Sequence, residues 1–97
     1  MNLSQLYYFR KLAELQHYTK AAKELFITQP TLSGSITTRF LKQGNAQLLL
    51  KGRNGTRKGG LRNVELTKYG AEFLKYVNAS LEQLDKGIAI MKGYSGR

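Results

Sequence analysis

Apolar residues recur with helical spacing through the first third of the chain. Leu3, Leu6, Phe9 and Ala13 stand three or four positions apart, and Tyr7, Leu12 and Leu15 widen the stripe; the pattern predicts an amphipathic helix over residues 3–16. In "HYTKAAKELF" the buried stripe is Ala21, Ala22 and Leu25, and Thr19 stands where a hydroxyl caps a helix by accepting a backbone N–H. The two alanines let another helix approach closely. A third helix opens in "ITQPTLSGSITTRF". Thr28 is its N-cap, and Pro30 falls in the first turn, where a missing N–H costs nothing. Leu32, Ile36 and Phe40 recur at spacing four on its inner side. The outer side carries Gln29, Thr31, Ser33, Ser35, Thr37 and Thr38, polar and mostly short, while Gly34 weakens the helix by about 1 kcal/mol relative to alanine. Only a few residues join the second helix to the third, so the pair reads as a helix-turn-helix.

After Gly44 the pattern changes. "AQLLLKG" and "RNVELTK" have strand composition and flank "KGRNGTRKGGLRN", so strand, glycine-rich loop and strand predict a β-hairpin with a long tip. Thr67 then offers an N-cap for the longest element. Within it Leu74, Val77, Leu81, Leu84, Ile88 and Met91 follow a 3-4-3-4-3 spacing, a heptad seam. A helix of about 25 residues spans roughly 38 Å, too long for the small domain before it to cover. The seam therefore seeks a second copy of itself, or, read more plainly, packs as a core stripe against the first helix.

Charge gives this pattern a partner. Sixteen Lys and Arg against six Asp and Glu leave a net charge of +10 on 97 residues, which points to a polyanion: DNA, RNA or an anionic membrane face. No acid lies between Glu24 and Glu65, whereas Arg39, Lys42, Lys51, Arg53, Arg57, Lys58 and Arg62 all do. There is no cysteine, hence no disulfide framework and no thiolate metal site. Uninterrupted aliphatic runs such as Leu48–Leu50 stay far below the roughly 20 residues that span a bilayer, and Arg10 and Lys11 interrupt the N-terminal apolar pattern. The expected location is cytoplasmic. One histidine and six scattered acids supply no triad, no paired carboxylates and no metal cluster, so neither catalysis nor a cofactor or metal is expected. "GRNGTRKGG" lacks the Gly-Lys-Ser/Thr ending of a P-loop.

At "MNLSQLYYFRKLAEL", "AAKELFITQPTLS" and "RNVELTKYGAEFLKYV" the sequence resembles the N-terminal DNA-binding domain of LysR-type bacterial transcriptional regulators. The Ala-Ala helix leading into Thr-Gln-Pro-x-Leu-Ser is the specific part, and "ELTKYG" is similar to the family's Leu-Thr-x-x-Gly start of a linker helix. The resemblance covers roughly residues 1–37 and 62–92. It implies a mainly α fold: a winged helix-turn-helix over residues 1–66, with a three-helix core and a β-hairpin wing at about 47–66. A linker helix over 67–92 pairs two subunits, and 93–97 form a flexible tail. In the family the first turns of that helix pack inward and the later ones across the dimer, which implies Phe73 and Tyr76 for the inner core and Leu81, Leu84, Ile88 and Met91 for the dimer interface. The segment 38–62 departs from the family pattern: it has no Glu, no Leu directly before Gly44 and no Phe in its strand, and it is longer. An extended wing, an engineered insertion and a local shift of reading frame each account for it. Family members normally continue into a larger effector-sensing domain, so the chain is expected to be either a fragment or a naturally short regulator. A small-molecule effector enters only with that domain.

The resemblance implies a sequence-specific regulator acting as a homodimer on double-stranded DNA, without a membrane partner. The third helix lies in the major groove, and Thr28, Gln29, Pro30, Thr31, Ser33 and Thr37 face the bases. Gln pairs adenine with two hydrogen bonds, and Ser and Thr suit either base type. The plainer reading of the same residues is a solvated helix face. Relatives often carry a long polar side chain at position 34, so Gly34 lowers or shifts base specificity. At the start of the second helix, Tyr18, Thr19 and Lys20 are placed to hold a phosphate, while the lone His17 reads as a surface or capping residue. Arg53, Asn54, Arg57, Lys58 and Arg62 of the wing are assigned to phosphates or an adjacent minor groove. A nonspecific architectural DNA- or RNA-binding protein and a coiled-coil partner module are the alternatives.

Overall fold

The computed structural model describes residues 2–36, 40, 42–43, 46–51 and 63–95. Helix α1, Leu3–Leu15, starts on a capping box: Asn2 accepts from the Gln5 backbone N–H and donates its own N–H to the Gln5 side chain, each at 2.9 Å. Gln16, left-handed at φ 53°, ends it. Helix α2, Tyr18–Leu25, is capped by His17, whose Nδ1 accepts the Lys20 N–H at 3.2 Å, and not by the expected Thr19. The helix starts one residue before Thr19, which places that hydroxyl on the exposed side of the first turn.

The turn between α2 and α3 closes on Phe26, at φ 60° and ψ 39°. The Ile27 N–H reaches the Ala22 carbonyl at 3.0 Å and the Phe26 N–H reaches Lys23 at 3.2 Å, which satisfies the last carbonyls of α2. Helix α3, Gln29–Ser35, is shorter than the spacing predicted. Ile36 leaves helical geometry at φ −94° and ψ 78°, and the Gln5 amide of α1 donates to the Ser35 carbonyl at 2.8 Å. Leu32, Ile36 and Phe40 are nevertheless all buried, as the spacing requires.

Two antiparallel ladders follow. β1 (Lys42–Gln43) pairs with β2 (Ala46–Gln47), which the sequence did not suggest. β3 (Leu49–Lys51) pairs with β4 (Val64–Leu66) in the register Leu49↔Leu66, Leu50↔Glu65 and Lys51↔Val64. These last two are the strands of the expected hairpin; its tip lies outside the described residues. β4 is held to the α1–α2 junction by the Val64 N–H to the Gln16 carbonyl at 3.2 Å and by a bridge between His17 and Asn63.

Helix α4 runs from Lys68 to Ser95. Its first half completes the core. Phe9 is fully buried and meets Phe40 and Phe73 in tilted ring contacts at 5.8 and 5.6 Å, with Val77 and Leu81 closing the same cluster. Leu81 is 1% exposed and so belongs to the chain's own core, not to a seam between copies. Tyr76, assigned to the core, is 65% exposed, about 100° around the helix from Val77. Beyond Leu81 the helix meets α1 at its edge: the Tyr7 hydroxyl donates to Asp85 at 2.8 Å, and Arg10 stands 3.9 Å from the same carboxylate.

Candidate nucleic-acid interface

The outward face of α2 and α3 is built by local sequence. Ala21 and Ala22 are both buried in the core, and α3 packs against α2. Across that contact the Thr19 hydroxyl donates to Gln29 Oε1 at 2.9 Å, so the one long side chain of the α3 face is held by the helix behind it. Thr28 accepts the Thr31 N–H at 3.1 Å and passes its own hydrogen to Thr31 Oγ1 at 2.7 Å. Cap and first turn are thereby locked, and the Thr31 hydroxyl hydrogen is directed away from its cap. Thr28, Pro30, Thr31 and Gly34 are exposed, while Gln29 and Ser33 are half-buried at the edges of the face.

The second-helix residues divide. Thr19 and Lys20 are exposed, as a phosphate contact demands. Tyr18 is not available: it is 3% exposed, its hydroxyl is enclosed, and burial pushes its pKa up to about 12. A residue at the first helical position points inward or outward according to the neighbour it meets, and here it meets the core. Lys23 is also exposed. The acids nearby are engaged elsewhere: Lys11 lies 3.0 Å from Glu14 and 3.3 Å from Glu24, and hydrogen bonds to Glu14 and then Glu24 raise its pKa.

Phe26 was not singled out from the sequence. It is 93% exposed and adopts a left-handed conformation that a bulky residue rarely takes. The signal lay in its position, just past the stripe of α2, where a helix stop is required. Thr37 and the wing residues Arg53, Asn54, Arg57, Lys58 and Arg62 lie outside the described residues. Of the seam, Leu84, Ile88 and Met91 are 37%, 42% and 59% exposed. Among the described residues there is no group of three or more His, Cys, Asp or Glu placed to hold a metal ion, and no helix long and apolar enough to cross a membrane.

Residues 3–71 match the family described as bacterial regulatory helix-turn-helix protein, lysR family. An uncharacterized HTH-type transcriptional regulator of Bacillus subtilis, YybE, is 40% identical over 87 residues, 90% of this chain and 27% of its own length. The HTH-type transcriptional regulator AlsR of the same organism is 38% identical over 90 residues, 93% of this chain and 27% of its own. The chain thus spans about a quarter of the length of these curated relatives. Among solved structures, the BenM DNA-binding domain in complex with catB site 1 DNA superposes with a TM-score of 0.74 at 31% identity, covering 99% of this chain and 94% of that one.

Proposed function

The chain belongs to the lysR family of bacterial regulatory helix-turn-helix proteins, and from that membership we propose that it is a sequence-specific DNA-binding module of a transcriptional regulator. One observation carries the reading: the exposed polar face of α3, with Thr28, Pro30 and Thr31 exposed and Gln29 tethered by Thr19, set on a buried three-helix core. Side chains of this kind read base edges in the major groove. Thr19, Lys20 and Lys23 lie beside that face for the sugar-phosphate backbone. The basic stretch 51–63, with Arg53, Asn54, Arg57, Lys58 and Arg62, supplies further phosphate contacts. The relatives are named as transcriptional regulators, and no catalytic role is assigned. Such a protein works in the cytoplasm, on the nucleoid.

We place the second copy of the chain on the exposed part of the α4 seam, at Leu84, Ile88 and Met91. Two heads held this way address two half-sites.

Selection of binding sites from randomised duplex tests the reading. A defined enriched sequence is expected, bound with an affinity that falls steeply with salt, by a slope of about −0.9 per neutralised phosphate on a log–log plot. Absence of duplex binding at low salt would sink the regulator reading. Equal binding to every duplex would replace it with an architectural role.

A further inference from the structure

We propose that Gly34 is the point of closest approach between α3 and the DNA, where the missing side chain lets the helix seat deeply enough for its short neighbours to reach base edges. The proposal rests on the DNA-binding reading and names the residue that sets the depth of that contact.

The fold does not ask for glycine at position 34. Its φ lies outside the left-handed region, and a Cβ placed there meets nothing within 4 Å among the described residues. Gly70 shows the contrast: a Cβ there would stand 2.1 Å from the Leu48 carbonyl oxygen and 2.7 Å from Leu66 Cδ1, so packing of α4 on the hairpin demands glycine. Inside a helix glycine is less stable than alanine because more backbone freedom is lost. Gly34 therefore weakens α3 with no return from the described residues. Its exposure points to a reason outside the chain.

Its position on the helix says where. At about 100° per residue, Gly34 sits roughly 160° around from both Leu32 and Ile36, the two fully buried residues that aim α3 at the core. It is thus the outermost point of the helix. Pro30 and Thr31 flank it, about 40° and 60° to either side. These flanking side chains are short, and Ser33 at the edge is shorter still. A helix with its side chains is about 10–12 Å across and the major groove about 12 Å wide, so a side chain at the apex decides how far the helix enters. Without one, the α3 backbone approaches the groove floor, and threonine and serine hydroxyls come within hydrogen-bonding distance of the bases.

The test uses the 97-residue chain with Gly34→Ala and Gly34→Arg, a duplex from the selection above and a scrambled duplex. Thermal melting is measured beside binding. Gly34→Ala is expected to melt a few degrees higher than the parent, to bind scrambled duplex within about twofold of it, and to lose at least tenfold in affinity for the selected duplex. Gly34→Arg is expected to lose as much on that duplex and to select a different sequence. Retention of the selected duplex within about threefold by Gly34→Ala overturns the proposal. So does a lower melting point for that variant, since it would show that the fold needs glycine after all. A parent chain with no sequence preference overturns the DNA-reading function itself, and that result is visible before any substitution is made.

Discussion

Tyr18 shows how far a single side chain can differ from its reading in sequence. At the first position of α2 it was assigned to a phosphate, yet the ring lies in the core at 3% exposure. Burial disfavours the phenolate and raises the pKa from 10.0 to about 12. The unfolded chain then loses its proton before the folded one. This contribution to stability is complete below about pH 10 and is lost as pH rises from 10 towards 12. A shift of two pH units corresponds to about 2–3 kcal/mol. The difference in urea stability between the parent and Tyr18→Phe, followed from pH 9 to 12, should narrow or reverse by that order in favour of Phe. Parallel curves for the two proteins would contradict it. Gln29 is the opposite case: its place on the α3 face was legible, but its tether to Thr19 depends on the α2–α3 packing and has no local signal.

Among the elements, α4 was the most legible because its seam repeats over many turns, and Thr67 was rightly read as its cap. The Thr67 hydroxyl accepts the Gly70 N–H at 3.0 Å and directs its hydrogen toward the carbonyls of Gln47 and Leu48, while the Thr67 N–H reaches Leu48 at 3.1 Å. One residue thus starts the helix and fastens it to the hairpin. Thr67→Val keeps the shape and removes these bonds; it should lower stability by about 1–2 kcal/mol in denaturant unfolding. The end of α3 was less legible. Spacing through Phe40 predicted a longer helix, but burial of three residues in register does not require a continuous helix. The regular part stops at Ser35, whose carbonyl accepts from Gln5 of α1, a contact distant in sequence.

For the molecule as a whole, extents of 54 × 28 × 18 Å show one element outrunning the rest. Twenty-eight residues of helix span roughly 42 Å. The core holds α4 as far as Leu81, and beyond it Leu84, Ile88 and Met91 are exposed. Substitutions on the two sides of that boundary should separate. Leu81→Ala should lower stability by about 2–4 kcal/mol through the cavity it leaves. Ile88→Glu should change monomer stability little and shift sedimentation from dimer to monomer, because an unpaired charge at an apolar contact opposes association. A dimer that survives Ile88→Glu would place the partner elsewhere.

By itself the sequence determined the order and type of the main elements, the helix-turn-helix, the outward polar face of α3 and the concentration of positive charge. Each of these is local: periodicity, capping and composition act between residues a few positions apart. Tertiary structure decided between His17, already read as a surface or capping residue, and Thr19 as the cap of α2, and it alone decided that Tyr18 turns inward and that α3 stops at Ser35. It also decided that Leu81 belongs to the chain and not to a partner. A heptad seam records which residues are apolar, whereas the surface that covers each one is set by how far the neighbouring helices extend. For α4 that limit falls between Leu81 and Leu84.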